Sequence, residues 1–196
     1  MLERRWLESG PRKDIADEEW YRYSTAIWKF WPWVLLQPLI SHCLFTRYQS
    51  WLPCFYASYS TFFLLFNVGW LTTVSFYALY VAFFVCAKFR SVSACYLLGL
   101  AVVLHSAFPV LTFLKPIYLY HGSVDTFLTQ VGLSWTAARC LSYAVDAIAV
   151  SEAGPEIGTT LAYVLYLPAL FTGPLQNYND FVLQVRKGAR ASEQPV

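Results

Sequence analysis

Charge is what this chain lacks most. Only 13% of its 196 residues are charged, whereas a soluble domain carries about a quarter. A soluble fold of this length must cover a large surface with polar side chains, and too few are present here. The net charge of +2 is also too small to indicate nucleic-acid binding. Apolar residue types, at 57%, exclude a disordered chain and point to an integral membrane protein.

Long segments contain no charge at all, and they predict membrane spans. Between Phe30 and Val124 there are four charged residues, all of them basic. An uncharged apolar run of about 18 residues is long enough to cross a bilayer as a helix. We therefore expect an all-α, polytopic transmembrane helical bundle. The predicted spans are Phe30–Thr46, Trp51–Val68, Trp70–Ala87, Ser93–Leu114 and Thr159–Leu175. The alternative, a buried soluble core, needs polar outer faces, which Phe55–Phe84 does not have.

The same pattern predicts three regions. Residues 1–29 form a polar N-terminal segment, with an interfacial helix that begins at Ile15 and has aromatic residues at helical spacing. Residues 30–185 form the membrane region, with a kink at Pro38 and a turn near Asn67–Gly69. Residues 186–196 form a polar tail. The basic loops at Arg47 and at Lys88 and Arg90 place that side of the bundle in the cytoplasm.

The histidines and cysteines give no catalytic or metal-binding pattern. His42 and His105 lie in apolar spans and His121 in a connector, without a second ligand or a carboxylate nearby. A histidine inside the membrane can transfer protons or bind a metal, or it can simply hydrogen-bond a neighbouring carbonyl group. The isolation of these three histidines favours the hydrogen bond to a carbonyl. The five cysteines form no CxxC pair, so buried small side chains are favoured over disulfides.

The segment from Phe127 to Ile148 is apolar but carries two charges, Arg139 and Asp146. Seven residues span two helical turns, so both lie on about the same face. Charges inside an apolar helix must face protein or water, which predicts a helix buried against others or a re-entrant segment. Further on, Pro168 and the Gly173–Pro174 pair predict a bent or broken last span. Broken helices line cavities in membrane proteins, although ordinary packing explains these residues equally well.

Two stretches carry a family resemblance. They are GLSWTAARCLSY, from Gly132 to Tyr143, and LAYVLYLPALFTGPLQNYNDF, from Leu161 to Phe181. Together they resemble the membrane-bound O-acyltransferase (MBOAT) family, in which a G-x-S-aromatic-x-x-x-R helix precedes a Y-x-x-Y-x-P segment that ends in Gly-Pro. The shorter run from Arg12 to Trp20 resembles the hedgehog acyltransferase branch. The resemblance covers most of the chain.

The resemblance implies a multi-pass protein of the endoplasmic reticulum membrane that transfers palmitate. The implied acyl donor is palmitoyl-CoA, and the implied acceptor is the N-terminal cysteine of a secreted Hedgehog-type protein. The implied partners are thus the lipid bilayer, acyl-CoA and that protein, with no nucleic acid. No other cofactor is identifiable from the residues.

The resemblance also implies which functional residues this chain contains and which it lacks. The family's catalytic histidine and its upstream acidic residue belong to a later half, which none of the three histidines matches. We therefore expect an N-terminal fragment of the MBOAT fold with no catalytic residue and no metal site. The candidates for lining or shaping the acyl tunnel are Arg139, Asp146, Tyr163, Tyr166, Pro168, Gly173 and Pro174. Two alternatives remain: a catalytically silent relative that acts as a regulator or scaffold, and a small transporter or channel.

Overall fold

The computed structural model describes residues 15–45, 49–107, 126–150, 156–171, 173 and 176–191. Regular secondary structure in these ranges is helical throughout. The α-helices are α1 Ile15–Phe45, α2 Leu52–Asn67, α3 Trp70–Lys88, α4 Val92–Ala107, α5 Thr126–Val150, α6 Ile157–Val164 and α7 Tyr178–Ala191. Short 3-10 helices cover Gln49–Trp51 and Leu167–Ala169. The all-α expectation is confirmed for this part of the chain.

Helix α1 is continuous for 31 residues and includes Pro32 and Pro38. The sequence predicts its start at Ile15 correctly. It also predicts an interfacial helix that leads into the first span, and the structure has one helix over both segments. The chain divides into two compact units inside α1, residues 1–31 and 32–196. In the first unit, the hydroxyls of Ser24 and Thr25 donate to the carbonyl oxygen of Tyr21.

In the second unit, residues 32–196, a tight turn joins α2 and α3. Gly69 has φ +103°, which favours glycine over any residue with a Cβ. The amides of Val68 and Gly69 both donate to the carbonyl oxygen of Leu64, at 2.8 and 2.9 Å. This shared acceptor closes the C-terminus of α2, and the turn that the sequence predicts at Asn67–Gly69 is confirmed.

Helix α5 is the central element of this unit. It packs against α3 and α4, while α6 packs against α2. Fully buried aromatic rings fill the space between them; they are Phe63, Phe76, Phe83 and Tyr143. Gly132 of α5 allows a close approach, because a Cβ there would lie 2.9 Å from two ring carbons of Phe171. The predicted burial of α5 against other helices agrees with this packing.

One helix in the described part of the chain is long and apolar enough to cross a membrane. It is α3, whose best 18-residue window has a mean hydropathy of 1.7, and α4 contains a shorter apolar stretch, Val92–Leu104. Many large apolar side chains on α2, α3 and α4 are exposed. They include Phe62, Leu65, Phe66, Trp70, Val74, Val81, Val85, Phe89, Leu97, Leu100 and Val103.

Other predicted boundaries differ from the structure. Helix α4 ends at Ala107, and the predicted remainder of its span, with Pro109, lies outside the described residues. Helix α5 continues to Val150, two residues past the end of the apolar segment Phe127–Ile148 that the sequence indicates. Helix α7 runs to Ala191 and so includes the first residues of the segment 186–196 that is predicted as a polar tail.

Candidate functional site

The candidate site forms where α6 stops. Pro168 has no N–H, and a proline ring at this position of a helix clashes with the carbonyl four residues earlier, which is that of Val164. The helix accordingly ends at Val164, and the chain turns at Leu165 and Tyr166 into the 3-10 helix Leu167–Ala169. The break that the sequence predicts in this segment is confirmed. It leaves carbonyl groups at the end of α6 without helical partners.

Arg139 of α5 supplies a partner for the carbonyl of Val164, and it is a second donor to the carbonyls of Tyr163 and Tyr166, which also accept from the amides of Tyr166 and Ala169. Its Nη1 lies 3.1 Å from the carbonyl oxygen of Val164, 3.2 Å from that of Tyr166 and 3.4 Å from that of Tyr163. Arg139 is only 3% exposed. A cation at a helix C-terminus also faces the negative end of the helix dipole. The guanidinium therefore stabilises the broken end of α6 by hydrogen bonds and by charge.

Gly173, in the segment between the second 3-10 helix and α7, lies close to Trp135 of α5. Its φ of +66° is in the left-handed region, which glycine adopts without cost. A Cβ at this position would lie 3.4 Å from the indole ring of Trp135, so the site also has little spare room. Both constraints select glycine at this point of the motif.

An aromatic cluster surrounds the break. The Tyr163 hydroxyl donates to the carbonyl oxygen of Gln176, which ties α6 to the segment before α7. The ring of Phe181 lies 5.5 Å from that of Tyr163 and 6.0 Å from that of Tyr166, between centroids. Tyr56 of α2 meets Tyr166 edge to face at 5.3 Å. These rings form a wall that holds α2, α6 and α7 together.

A cavity of about 200 Å³ lies at the break. Its lining residues are Arg139, Tyr163, Tyr166, Pro168, Ala169, Gly173, Gln176 and Phe181. A second cavity, of about 140 Å³, shares Tyr166, Gln176 and Phe181 with the first and extends toward Leu52 and Val185. Together the two reach the lower end of the size range of small-molecule sites, about 300–1,000 Å³.

The structure brings five of the sequence candidates around one cavity: Arg139, Tyr163, Tyr166, Pro168 and Gly173. Asp146 is half-buried on α5 and is absent from the described lining of the cavity. Pro174 lies outside the described residues. That this cavity is a section of an acyl tunnel stays a prediction.

Three lining residues were missed by sequence reasoning: Ala169, Gln176 and Phe181. Phe181 follows Tyr178 at helical spacing on α7, which is a usable signal for a buried face. Ala169 and Gln176 give no signal, because their place depends on how the chain turns after Val164. Residue type alone does not specify that turn.

Among the described residues lining the cavity, none is a histidine or a carboxylate. His42 is exposed on α1, and neither His121 nor the side chain of His105 belongs to the described part of the chain. No group of three or more metal-ligating side chains occurs in the described ranges. No disulfide joins any of the five cysteines, which all belong to the described ranges, and Cys95 and Cys140 are buried. The cavity thus offers a cation, an amide and aromatic walls.

No protein-family model matches the chain. A curated mouse protein, named protein-cysteine N-palmitoyltransferase HHAT-like protein, is 26% identical to it over 209 aligned positions. That alignment covers 97% of this chain and 37% of the mouse protein. The chain therefore spans little more than a third of the length of the curated relative that it matches.

Proposed function

We propose that the chain forms part of a membrane-embedded acyltransferase of the MBOAT type, and that the Arg139 cavity is a section of its acyl tunnel. In this proposal the protein is multi-pass, lies in the endoplasmic reticulum membrane and transfers palmitate from palmitoyl-CoA to the N-terminal cysteine of a Hedgehog-type secreted protein. The observation that carries it is the cavity at the broken end of α6. Its walls come from the two sequence stretches that carry the family resemblance.

The similarity to the mouse protein supports the same class of activity. The mouse protein's name likens it to a protein-cysteine N-palmitoyltransferase, and the alignment extends over 97% of this chain. Agreement along almost the entire chain favours a shared architecture over a shared local motif. Acyl-CoA and a protein acceptor are accordingly the kinds of partner that we propose.

The distribution of apolar side chains supports a membrane location. Trp70, Val81 and Phe89 on α3 and its end are each more than half exposed. Soluble monomers rarely expose large apolar patches, whereas lipid covers such side chains at no cost. The other charge-poor helices would then complete a polytopic bundle around α3.

The chemistry assigns a supporting role to this cavity. In acyl transfer the substrate amine attacks the thioester carbonyl carbon, the C–S bond breaks, and a base accepts the amine proton. The described cavity residues include no such base. They supply a dry aromatic wall and a fixed cation, which exclude water and position the acyl group. The base in this proposal belongs to another part of the enzyme.

Transfer of labelled palmitate tests the proposal. Membranes from cells that express the longest reading frame containing these residues are incubated with labelled palmitoyl-CoA and a peptide with an N-terminal cysteine. We expect transfer by this product and none by residues 1–196 expressed alone. No transfer by the longer product would favour the silent regulator or scaffold instead.

A glycine variant ties the activity to the cavity. We expect Gly173→Leu to lower transfer at least about tenfold, because leucine is strained at positive φ and meets Trp135. Gly158→Leu is the matched control, since no atom lies within 4 Å of a Cβ there. Equal rates for the two variants would remove Gly173 from the site.

A further inference from the structure

Only one nitrogen of the Arg139 guanidinium is used in the described part of the chain. All three of its hydrogen bonds leave from Nη1. The N–H groups on Nε and Nη2 have no hydrogen-bond partner among the described residues. Neither nitrogen atom is completely buried. Because Arg139 borders the cavity, these donors are available to a molecule inside it.

The charge of this guanidinium is only partly balanced. The C-terminus of α6 contributes about half a negative charge, and no carboxylate is among the described residues that line the cavity. A cation that is 3% exposed has little contact with water, so it gains strongly from an anion placed against it. The planar fork of N–H groups matches the two oxygens of a carboxylate or a phosphate.

The surroundings narrow the choice of anion. Apart from Arg139 and Gln176, the first cavity is lined by aromatic rings, proline, alanine and glycine. Past Tyr166 and Phe181, the second cavity adds Leu52, Tyr56 and Val185, together with one further amide side chain, that of Gln184. A ligand with a small charged end and a single apolar chain fits this sequence of surfaces. A cavity of about 200 Å³ is too small for the head and both chains of a phospholipid.

We propose that the cavity binds the carboxylate end of a long-chain fatty acid, held by the free N–H groups of Arg139. The chain of the acid passes Tyr166 and Phe181 into the second cavity. This inference rests on the proposed function, because it names a second ligand, an acid in place of a thioester, for the same proposed tunnel. Its test measures binding directly and needs no acyl transfer.

Photolabelling provides that test. The 196-residue chain in nanodiscs is illuminated with palmitate that carries a diazirine on its chain, and labelled peptides are mapped by mass spectrometry. We expect saturable labelling of the residues that line the two cavities, including Leu52 and Val185 at the far end of the second. Unlabelled palmitate should compete, and methyl palmitate, which has the same chain without the charge, should compete at least about thirtyfold less well.

The competitors distinguish the sources of the anion. Equal competition by methyl palmitate would show that the carboxylate is not recognised. Equal competition by acetate would show a simple oxyanion site without a chain subsite. Competition by a single-chain phosphate lipid that matches or exceeds palmitate would show a phosphate site. Each of these three results overturns the proposal.

Two variants locate the binding. Arg139→Gln removes the charge, and we expect at least about thirtyfold weaker binding. Because that change also weakens the end of α6, Ala169→Leu is the second variant: it adds bulk to the cavity wall and changes no atom that hydrogen-bonds Arg139. Ala101→Leu makes the same change at an exposed position of α4. Saturable labelling should be lost in Ala169→Leu and kept in Ala101→Leu.

Normal labelling of Ala169→Leu would overturn the fatty-acid site. A failure of the proposed function looks different, since it shows as labelling without any palmitate transfer by the longer product. The two experiments therefore fail separately.

Discussion

Arg139 and Val164 are joined by a 3.1 Å hydrogen bond from Nη1 to a main-chain carbonyl oxygen, at the point where Pro168 prevents α6 from continuing. Proline removes one helical donor, and arginine replaces it from another helix. The break and the buried charge are two parts of one arrangement, in which each would be costly alone.

Removal of the Arg139 side-chain charge should destabilise the protein. We expect Arg139→Met to lower the free energy of unfolding by about 2 kcal/mol, because hydrogen bonds to charged groups contribute about 1.5–3 kcal/mol and the carbonyls stay buried. Thermal unfolding in detergent measures this. The control is Arg90→Met: Arg90 is exposed and its Nη2 donates to the carbonyl oxygen of Ile148, so the loss should be below about 1 kcal/mol. Equal losses in both variants would contradict the capping role.

Gly132 should tolerate no methyl group. In Gly132→Ala the new Cβ would lie 2.9 Å from the Phe171 ring and 3.3 Å from the ring of Phe76, so the rings must shift. We expect a loss of about 1–3 kcal/mol in unfolding free energy, measured by thermal unfolding. Gly158→Ala, which has open space, should be neutral or stabilising, because alanine favours helices. A stable Gly132→Ala would show that α5 and Phe171 are less tightly packed than described.

Replacement of Gln37 by an apolar residue should stabilise the protein. Its side chain is fully buried, and neither amide atom has a hydrogen-bond partner among the described residues. An unpaired buried polar group costs about 1–3 kcal/mol, so Gln37→Leu should raise the unfolding temperature in detergent. A control on the same helix is Leu36→Gln, an exposed apolar position, which should not raise it. Destabilisation by Gln37→Leu would mean that the amide binds a group outside the described residues.

An arginine in the middle of α3 should oppose membrane insertion. Val81 is 52% exposed and lies well inside the helix, where arginine adds about 2.5–3.5 kcal/mol to the apparent insertion free energy. Glycosylation sites on either side of Trp70–Phe89 in a host protein report insertion of the segment. Phe89→Arg, just after the helix, should have a much smaller effect. Insertion of Val81→Arg at the level of Phe89→Arg would contradict this prediction, and a parent segment that failed to insert would show that α3 is not a membrane span.

The sequence locates most helices because charge and glycine mark their ends. Lys88 and Arg90 place the end of α3 within one residue, and Gly69 marks its start. Proline was less informative. Pro168 ends a helix, whereas Pro32 and Pro38 lie inside α1, because the effect of proline depends on what replaces its missing hydrogen bond.

The partner of Arg139 shows why the site was harder to predict than the fold. Residue types suggest Asp146, the one acidic residue at helical spacing on α5. The described hydrogen bonds go instead to main-chain carbonyls at the end of α6. Every residue has a carbonyl, so the sequence does not show which ones are free to accept. The sequence identifies Arg139 as a charge in an apolar helix, where burial without a partner is unfavourable. Which groups it bonds depends on the tertiary structure.

The carbonyls that bond Arg139 lie 24 to 27 residues further along the chain. During synthesis at a membrane, α5 therefore leaves the ribosome before its charge can be neutralised by α6. For the proposed membrane-embedded enzyme, we expect the two helices to enter the lipid as a pair, with α5 retained by the insertion machinery until Tyr166 has been translated.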